Sequence, residues 1–543
     1  MMRYEELIQN FSWEETRKHY EGNPDGEFNM AIEICDKWAD DPKRIAIQWE
    51  DESGKEEVWT YKQLKEKTNQ MANALNSLGV KKGDRVAGLL GKDMELIITI
   101  IATMKVGATY VPLFTAFGPD AIMHRTSDSG VSLLLTNKEQ KSKLDELNTS
   151  FDTLLIDDLT KDGQTFWEFV DSFSNEYEVE KTQGDDPAII QYTSGTTGLP
   201  KGAIVKHKGV CSLFPYFGFG LHVEEDDVFF GGADLGWAYG LVACTIGPLS
   251  LGAEIVLYKG PFDPEKVFQL LDKYQVTSFA YAPTAYRMMM ATGIDKMKKY
   301  NLKVRKFSSA GEPLDGEVVK FFKTHFGREI YDHYGSTETG MIVNNYNMLD
   351  MEIKPGSMGL PIPGYTIVLM DDDGNPVKKG EAGQIALDIS DGVTAFGGYW
   401  NNPEKLEEKM LDNWFLTGDL ARQDEDGYFW FQGRADDVIT SAGYRIGPTE
   451  VEATLNEHAA VLESAVVGIP DKAKGEIVKA FVLLNENYEP TEELKEELSL
   501  YVRNKLSKHQ YPREIEFLEE FPKTQSGKTQ RFLLKKGEQE QLR

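Results

Sequence analysis

The chain is 543 residues long, which exceeds what one compact hydrophobic core usually contains and predicts two or more domains. Its 41% hydrophobic and 11% aromatic residues are typical of well-packed globular proteins. The formal net charge of −29 argues against nucleic acid and anionic membrane as partners, so any anionic ligand must bind in a local positive region.

The cysteine spacing, the N-terminal sequence and one long uncharged segment bear on where in the cell the protein is expected to act. Cys35, Cys211 and Cys244 are widely spaced without a CxxC pair, which is typical of a reducing compartment and predicts no metal cluster. No basic start followed by an apolar stretch is visible, so we expect no signal peptide and a cytoplasmic protein. Glycines and a proline interrupt the uncharged segment 235–253, which we expect to be buried core and not a stable membrane insertion.

The chain alternates apolar strands and amphipathic helices, a pattern typical of α/β architecture. A helix is predicted over 61–78, where leucine and methionine recur on one side and Gly79 follows. Buried strands are predicted at 86–90, 132–136, 188–192 and 254–258.

From about Pro361 the pattern changes to short alternating strands and turns, which predicts a β-rich subdomain up to about residue 434. The final hundred residues predict a smaller unit after residue 436. Its predicted elements are a helix that a capping box at 449–452 opens and that ends near 458, strands at 464–468 and 480–484, and a helix over 491–506.

The segment 192–202 is the strongest local signal in the chain. It places three hydroxyl residues, three glycines and one lysine directly after a predicted strand. Glycines let backbone N–H groups approach an anion closely, and the hydroxyls and the lysine add donors, so the segment predicts a phosphate-binding loop. It lacks the Walker spacing, and the similar stretch at 526–529 has Pro522 where that motif needs glycine.

Six blocks in this order resemble the adenylate-forming enzymes: acyl-CoA synthetases, peptide-synthetase adenylation domains and luciferases. The blocks are Thr193-Ser-Gly-Thr-Thr-Gly-Leu-Pro-Lys-Gly202, Tyr334-Gly-Ser-Thr-Glu-Thr339, Thr417-Gly-Asp419, Gly433-Arg-Ala-Asp-Asp437, Ser441-Ala-Gly-Tyr-Arg445 and Pro522-Lys-Thr-Gln-Ser-Gly-Lys528. The resemblance implies an α/β fold with a large N-terminal domain over 1–434, made of two α/β subdomains and the β-rich one. A small mobile α+β domain over 437–543 follows a hinge near 435–436, at Asp436.

The resemblance also implies a site for ATP and AMP. Thr337 and Glu338 suit a phosphate and its Mg²⁺, because Mg²⁺ takes one or two carboxylates together with phosphate oxygens. Lys528 resembles the catalytic lysine that bridges the acyl carboxylate and the α-phosphate. The residues assigned to ATP or AMP are Thr193, Ser194, Gly195, Thr196, Thr197, Gly198, Lys201, Gly311, Glu312, Pro313, Asp332, His333, Tyr334, Gly335, Ser336, Asp419, Arg434 and Arg445.

The acyl and CoA sites are assigned in the same way. The implied acyl pocket consists of Trp237, Ala238, Tyr239, Gly240, Ala310 and Gly335, and the implied CoA site of Ser441, Gly443 and Tyr444. Strict acetate enzymes have a tryptophan where this chain has Gly335. Loss of an indole opens space for several methylenes, each worth about 0.8 kcal/mol when buried, so we expect a short branched or medium-chain acid.

The favoured function is therefore an acid–thiol ligase that uses Mg²⁺, ATP and CoA and acts as a monomer or homodimer. It forms an acyl-adenylate and releases AMP and pyrophosphate. One alternative is a free-standing adenylation enzyme that loads a carrier protein, for which Asp234 is the nearest candidate to bind an amino group. The other is a non-catalytic nucleotide-binding protein, which the presence of Lys528 and Glu338 disfavours.

Overall fold

The structure is a computed structural model. It describes residues 2–145, 147–193, 200–371, 373–435, 437–441, 444–471, 474–506, 510–523 and 529–541. The chain divides into two units, of which the first comprises Met1–Thr366 and Asp388–Asn413 and the second Ile367–Leu387 and Trp414–Arg543.

The strands are short and distributed along the whole chain. They are β1 (Ile45–Asp51), β2 (Glu56–Thr60), β3 (Arg85–Leu89), β4 (Thr109–Pro112), β5 (Leu133–Thr136), β6 (Asp152–Leu155), β7 (Pro187–Thr193), β8 (Lys201–Lys206), β9 (Val228–Gly231), β10 (Glu254–Lys259), β11 (Ser278–Tyr281), β12 (Lys306–Ala310), β13 (Ile330–Ser336), β14 (Gly340–Asn344), β15 (Leu360–Pro361), β16 (Ile367–Met370), β17 (Ala382–Asp388), β18 (Phe396–Tyr399), β19 (Met410–Leu411), β20 (Trp414–Gln423), β21 (Phe429–Arg434), β22 (Ile439–Ser441), β23 (Tyr444–Ile446), β24 (Val461–Asp471), β25 (Gly475–Leu484) and β26 (Glu514–Phe517).

Helices lie between many of these strands in both units. They are α1 (Tyr4–Asn10), α2 (Trp13–Arg17), α3 (Met30–Ile34), α4 (Tyr61–Ser77), α5 (Met94–Lys105), α6 (Pro119–Ser129), α7 (Lys138–Lys141), α8 (Phe166–Asp171), α9 (Gly209–Ser212), α10 (Gly247–Ser250), α11 (Pro264–Lys273), α12 (Pro283–Ala291), α13 (Ile294–Met297), α14 (Gly316–Phe326), α15 (Pro403–Glu407), α16 (Pro448–Asn456), α17 (Glu492–Lys505) and α18 (Arg531–Gln541). The segments Pro215–Gly220 and Tyr239–Ile246 are π-helical.

Two mixed sheets form the framework of the first unit. Within the described residues, nine strands follow the order β15-β14-β13-β12-β11-β9-β10-β1-β2, and seven follow the order β18-β8-β7-β4-β3-β5-β6. The centre of each sheet is parallel, and antiparallel strands lie at the edges. The α/β architecture predicted for this region is confirmed.

Helix α4 shows how local sequence sets an element of this unit. Thr60 accepts a hydrogen bond from the backbone N–H of Gln63, and the Gln63 side chain accepts one from the backbone N–H of Thr60. This capping box begins the helix, while Leu64, Met71 and Leu75 are fully buried on its inner side. The predicted helix over 61–78 is thereby confirmed.

The second unit contains two further sheets. Strands β16, β17, β20 and β21 are neighbours in one, and β23, β22, β25 and β24 follow one another in the other, with β26 parallel to β25. A separate hydrophobic cluster, with Ile439, Leu455, Val466 and Leu498 at its centre, packs α16 and α17 against the second sheet. This arrangement agrees with the predicted small α+β domain.

The start of α16 corrects one prediction. Gly447 is its N-cap and Pro448 its first residue, so Thr449 lies inside the first turn and does not form the expected capping box with Glu452. Proline is favoured at the first helical position, and α16 begins two residues earlier than a cap at Thr449 would place it. The Glu452 side chain instead accepts hydrogen bonds from the Val466 backbone N–H and from Arg531.

The uncharged segment 235–253 is buried along most of its length, as expected. It contains the π-helical segment Tyr239–Ile246 and helix α10. In the part of the chain that the structure describes, no helix is long and apolar enough to cross a membrane.

Candidate functional site

The hairpin of β7 and β8 holds the ends of the predicted phosphate-binding loop. Thr193 and Lys201 are paired across the hairpin, and residues 194–199, between them, lie outside the described residues. The His124 ring nitrogen Nε2 lies 2.9 Å from the carbonyl oxygen of Pro200. Strand β18 pairs with β8 on its other side, which brings Tyr399 to the end of the loop.

The turn between β13 and β14 fixes Glu338. The Ser336 hydroxyl accepts hydrogen bonds from the backbone N–H groups of Glu338 and Thr339, at 3.2 Å each. Thr337 lies at the tip of the same turn. The local hydroxyls thus hold the turn in one conformation and set the position from which the Glu338 side chain projects.

The Glu338 carboxylate meets groups from other segments of the first unit. Its Oε1 accepts a hydrogen bond of 2.7 Å from the Tyr399 hydroxyl, and the Lys409 Nζ lies 3.9 Å from the same oxygen. The Lys201 Nζ lies 5.5 Å from the centroid of the Tyr399 ring. Burial lowers the pKa of Lys201, and the positive charges of Lys409 and Lys405 lower it further.

The parallel strands β12 and β13 end side by side, with Ala310 paired to His333. Gly311 follows β12 with a φ of +97°, a conformation that favours glycine, and a Cβ there would meet no atom within 4 Å. The Glu312 carboxylate accepts hydrogen bonds from Thr284 at 2.7 Å and from Arg287 at 2.9 Å. Open α/β sheets bind ligands at these carboxyl ends of their strands.

Asp332 and His333 are buried at the end of β13. The His333 Nε2 lies 3.0 Å from the Asn345 carbonyl oxygen, which can only accept, so Nε2 is protonated and Nδ1 accepts from the Tyr216 hydroxyl. Burial lowers the pKa of His333 to about 3 and raises the pKa of Asp332 well above its usual value. The His333 ring is therefore neutral at neutral pH, and burial favours the protonated form of the Asp332 carboxyl.

The predicted acyl-pocket residues come from three segments of the first unit. Trp237 stacks on Phe114 with ring centroids 6.3 Å apart, and it precedes Ala238 and the π-helical segment that contains Tyr239 and Gly240. Asp234 accepts a hydrogen bond of 2.7 Å from the Gly236 backbone N–H. Burial raises the pKa of Asp234, and this hydrogen bond and Lys92 offset part of the rise.

Gly335 has a packing role of its own. A Cβ at this position would lie 1.9 Å from the carbonyl oxygen of Gly340, so the close approach of β13 and β14 excludes any side chain. The absence of an indole at Gly335 is thus explained by the backbone. By itself it is not evidence for a deeper acyl pocket.

The second unit contains the predicted ribose carboxylate. Asp419 and Arg434 are paired across β20 and β21, and the Arg434 Nη1 lies 3.2 Å from the Asp419 Oδ1. The Thr417 hydroxyl accepts from the Asp419 backbone N–H and donates to the Ile385 carbonyl oxygen, which fixes the bend before Asp419. Ser441 is buried at the end of β22.

The family model described as AMP-binding enzyme matches residues 35–400, and that described as AMP-binding enzyme C-terminal domain matches residues 450–528. The chain belongs to the AMP-binding enzyme family. It is 36% identical to acetyl-coenzyme A synthetase of Bacillus subtilis (strain 168) over 99% of this chain and 95% of that one. It is 34% identical to the human acyl-coenzyme A synthetase ACSM3, mitochondrial, over 98% of this chain and 93% of that one.

A solved structure of acyl-CoA synthetase from Brucella canis is similar to this family member over 100% of both chains, with 40% identity and a TM-score of 0.78. These comparisons confirm the resemblance read from the six sequence blocks. The chain is an AMP-forming acid–thiol ligase of the acyl-CoA synthetase class.

Several predicted site residues of this enzyme lie outside the described part of the chain. They are Ser194, Gly195, Thr196, Thr197, Gly198, Asp436, Gly443 and Lys528, together with the side chains of Tyr444 and Arg445. Their assignments stay predictions.

No sequence pattern pointed to Tyr399, Lys409 or the pair Thr284 and Arg287. Tyr399 is 61 positions from Glu338, the residue that it contacts, and no residue-type pattern links the two. Only the pairing of β18 with β8 reveals the contact.

Proposed function

We propose that this AMP-binding enzyme converts a short branched or medium-chain carboxylate to its CoA thioester through an acyl-adenylate. The observation that supports the adenylate-forming step most directly is the position of Glu338, whose carboxylate is held beside Tyr399 and Lys201 where the predicted phosphate-binding loop ends. A carboxylate and a lysine at the end of such a loop suit a magnesium polyphosphate.

In the first half-reaction a carboxylate oxygen forms a bond to the α-phosphorus of ATP. The bond from that phosphorus to the bridging oxygen breaks, and its electron pair leaves with pyrophosphate. Lys201 binds the β- and γ-phosphates, and Lys528 supplies positive charge between the two anionic reactants. Glu338 and Thr337 are the residues that would hold Mg²⁺, which offsets phosphate charge when bound.

In the second half-reaction the CoA sulfur forms a bond to the acyl carbonyl carbon. The bond from this carbon to the phosphate oxygen breaks, AMP leaves, and the thiol proton passes to solvent. Gly311 and Pro313 line adenine in this proposal, and Asp419 accepts hydrogen bonds from the ribose hydroxyls. The exposure of Gly311 and the open space above it support this assignment.

The surroundings of Asp234 favour an acid without an amino group. An anionic partner for an ammonium group must be charged, whereas burial raises the pKa of Asp234 and its Oδ1 already accepts from Gly236. The stacked rings of Trp237 and Phe114 suit an apolar chain instead. These contacts disfavour the alternative of an adenylation enzyme that loads an amino acid onto a carrier protein.

The half-reactions of Lys528→Ala test the mechanism. We expect acyl-AMP formation, measured as pyrophosphate release with hydroxylamine trapping, to fall about 100- to 1,000-fold because the cation between the reactants is lost. Thioester synthesis from supplied acyl-AMP should be largely intact. The matched control is Lys535→Ala, which removes from α18 a lysine that pairs with Glu476 of β25.

Equal loss in both half-reactions would contradict the assignment of Lys528 to adenylation alone.

Pyrophosphate release across straight and branched acids of two to twelve carbons tests the substrate class. A preference for acetate, or product that forms only with a carrier protein and not with CoA, would contradict the proposal.

A further inference from the structure

A cluster of lysines surrounds the Glu338 turn, and we define the lysine cluster as Lys201, Lys405 and Lys409. Lys201 begins β8, whereas Lys405 lies in α15 and Lys409 is the second residue after its end. All of them belong to the first unit. The Lys409 Nζ lies 3.9 Å from the Glu338 Oε1, and its side chain is 27% exposed, so it reaches solvent beside the turn.

Lys405 and Lys409 contact different carboxylates. The Lys405 Nζ lies 2.5 Å and 2.7 Å from the two carboxylate oxygens of Glu408, which offset its charge directly. Lys409 shares the Glu338 carboxylate with the Tyr399 hydroxyl, at a longer distance.

Lys409 and Lys405 lie close enough to Lys201 for their positive charges to lower its pKa. Among the charges that shift the pKa of Lys201, the lowering by Lys409 and Lys405 is larger than the raising by Glu408 and Glu338. In a chain with a net charge of −29, lysines from two separate segments brought this close together supply the cations that an anionic ligand requires.

We propose that Lys409 is a second cation of the pyrophosphate site and binds, with Lys201, the β- and γ-phosphates of ATP and the pyrophosphate product. The inference rests on the proposed function. AMP lacks both of these phosphates, so Lys409 contributes to the binding of ATP and pyrophosphate but not to that of AMP. Lysine is well suited to this role because its ammonium group acts as a mobile point charge toward phosphate oxygens.

The proposal is tested by direct binding to the full chain. Isothermal titration calorimetry with magnesium pyrophosphate, magnesium ATP and AMP compares wild type with Lys409→Met and Lys405→Met. Both variants remove one positive charge from the same short segment. We expect Lys409→Met to weaken pyrophosphate and ATP binding about 10-fold or more and to leave AMP binding within 2-fold, since one charge-assisted contact is lost.

Lys405→Met should change all three affinities less than 3-fold, and Lys409→Arg should restore most of the pyrophosphate affinity. Unchanged pyrophosphate binding by Lys409→Met, or an equal loss of AMP binding, would overturn the inference, because the second result indicates a general structural defect. A wild-type chain that binds neither ATP nor AMP would instead refute the proposed function.

Discussion

Buried histidines give this enzyme a defined response to acid. The His207 Nδ1 accepts a hydrogen bond of 3.1 Å from the Met30 backbone N–H, which joins the end of β8 to α3. Burial lowers the pKa of His207 from 6.5 to about 4, so the ring is neutral in the folded protein at neutral pH. An unfolded chain would protonate the same ring at a higher pH.

We therefore predict that stability falls as the pH decreases from 6.5 toward 4, because the unfolded state binds a proton that folded His207 does not. The stabilisation is fully present above 6.5 and is lost at a rate of up to about 1.4 kcal/mol per pH unit for one proton. Urea unfolding of wild type and His207→Gln at a series of pH values measures the slope. The variant keeps an acceptor for Met30 and should show a smaller slope; identical slopes would contradict the prediction.

Gly335 has a packing role that its sequence block did not predict. The sequence blocks identified the Tyr334 to Thr339 stretch, and the structure places it on one hairpin turn with Glu338 fixed. The backbone contact between Gly335 and Gly340 could not be predicted, because it depends on the register of two strands. For the same reason, Tyr399 and Lys409 had no sequence signal.

Gly335→Ala should lower the free energy of unfolding by about 3 kcal/mol, because the new Cβ overlaps the Gly340 carbonyl oxygen and the hairpin must open. Gly118→Ala is the matched control in the first unit, since a Cβ there meets no atom within 4 Å. Urea denaturation of the full chains gives both values. If Gly335→Ala is as stable as Gly118→Ala, the packing explanation is wrong.

At the scale of elements, the segment that contains Lys528 is fastened at both of its described ends. Lys523 and Thr529 form an isolated antiparallel bridge, and both side chains bind Glu463, at 2.7 Å and 3.2 Å. Arg531, at the start of α18, binds Glu452 of α16 through two hydrogen bonds of 2.8 Å and 2.6 Å. These contacts hold the ends of the segment to β24 and α16.

Arg531→Met should destabilise the second unit by about 3 to 5 kcal/mol, because Glu452 is then left buried without its partner. The double variant Arg531→Met and Glu452→Met should recover part of this loss, since it removes the buried Glu452 charge but leaves Asp437, which lies 3.5 Å from Arg531 in the wild type. Urea unfolding of wild type, Arg531→Met, Glu452→Met and the double variant gives the coupling energy. Additive losses in the double variant would show that the pair is not coupled.

The sequence predicted elements best where their signals are local. The Thr60 and Gln63 box marks the start of α4, and the helix over 491–506 corresponds to α17, capped by Thr491. The box at 449–452 had the right residue types, but Pro448 shifted the helix start and Glu452 turned inward to Arg531. Such a long-range ion pair leaves no local trace in the sequence.

At the scale of the whole molecule, the α/β class and the small second core were predictable from alternation and composition. The path that the chain takes between the two units could not be predicted in this way. It passes between the two units at 366–367, 387–388 and 413–414, so the second unit includes strands β16, β20 and β21 that precede the predicted boundary. The hinge at Asp436 stays a prediction, because this residue lies outside the described part of the chain.

The acidic composition acts on the molecule as a whole. With 88 acidic and 59 basic side chains, the compact state brings like charges together, and this repulsion opposes folding. We predict that raising NaCl from about 10 to 150 mM at pH 7 increases the free energy of unfolding, because the Debye length falls from about 30 to 8 Å. Urea unfolding at each salt concentration measures the gain. The gain should shrink as the pH approaches the isoelectric point of about 4.8, where the net charge disappears. A loss of stability with added salt at pH 7 would contradict the prediction, because it would show that attractive ion pairs outweigh the repulsion.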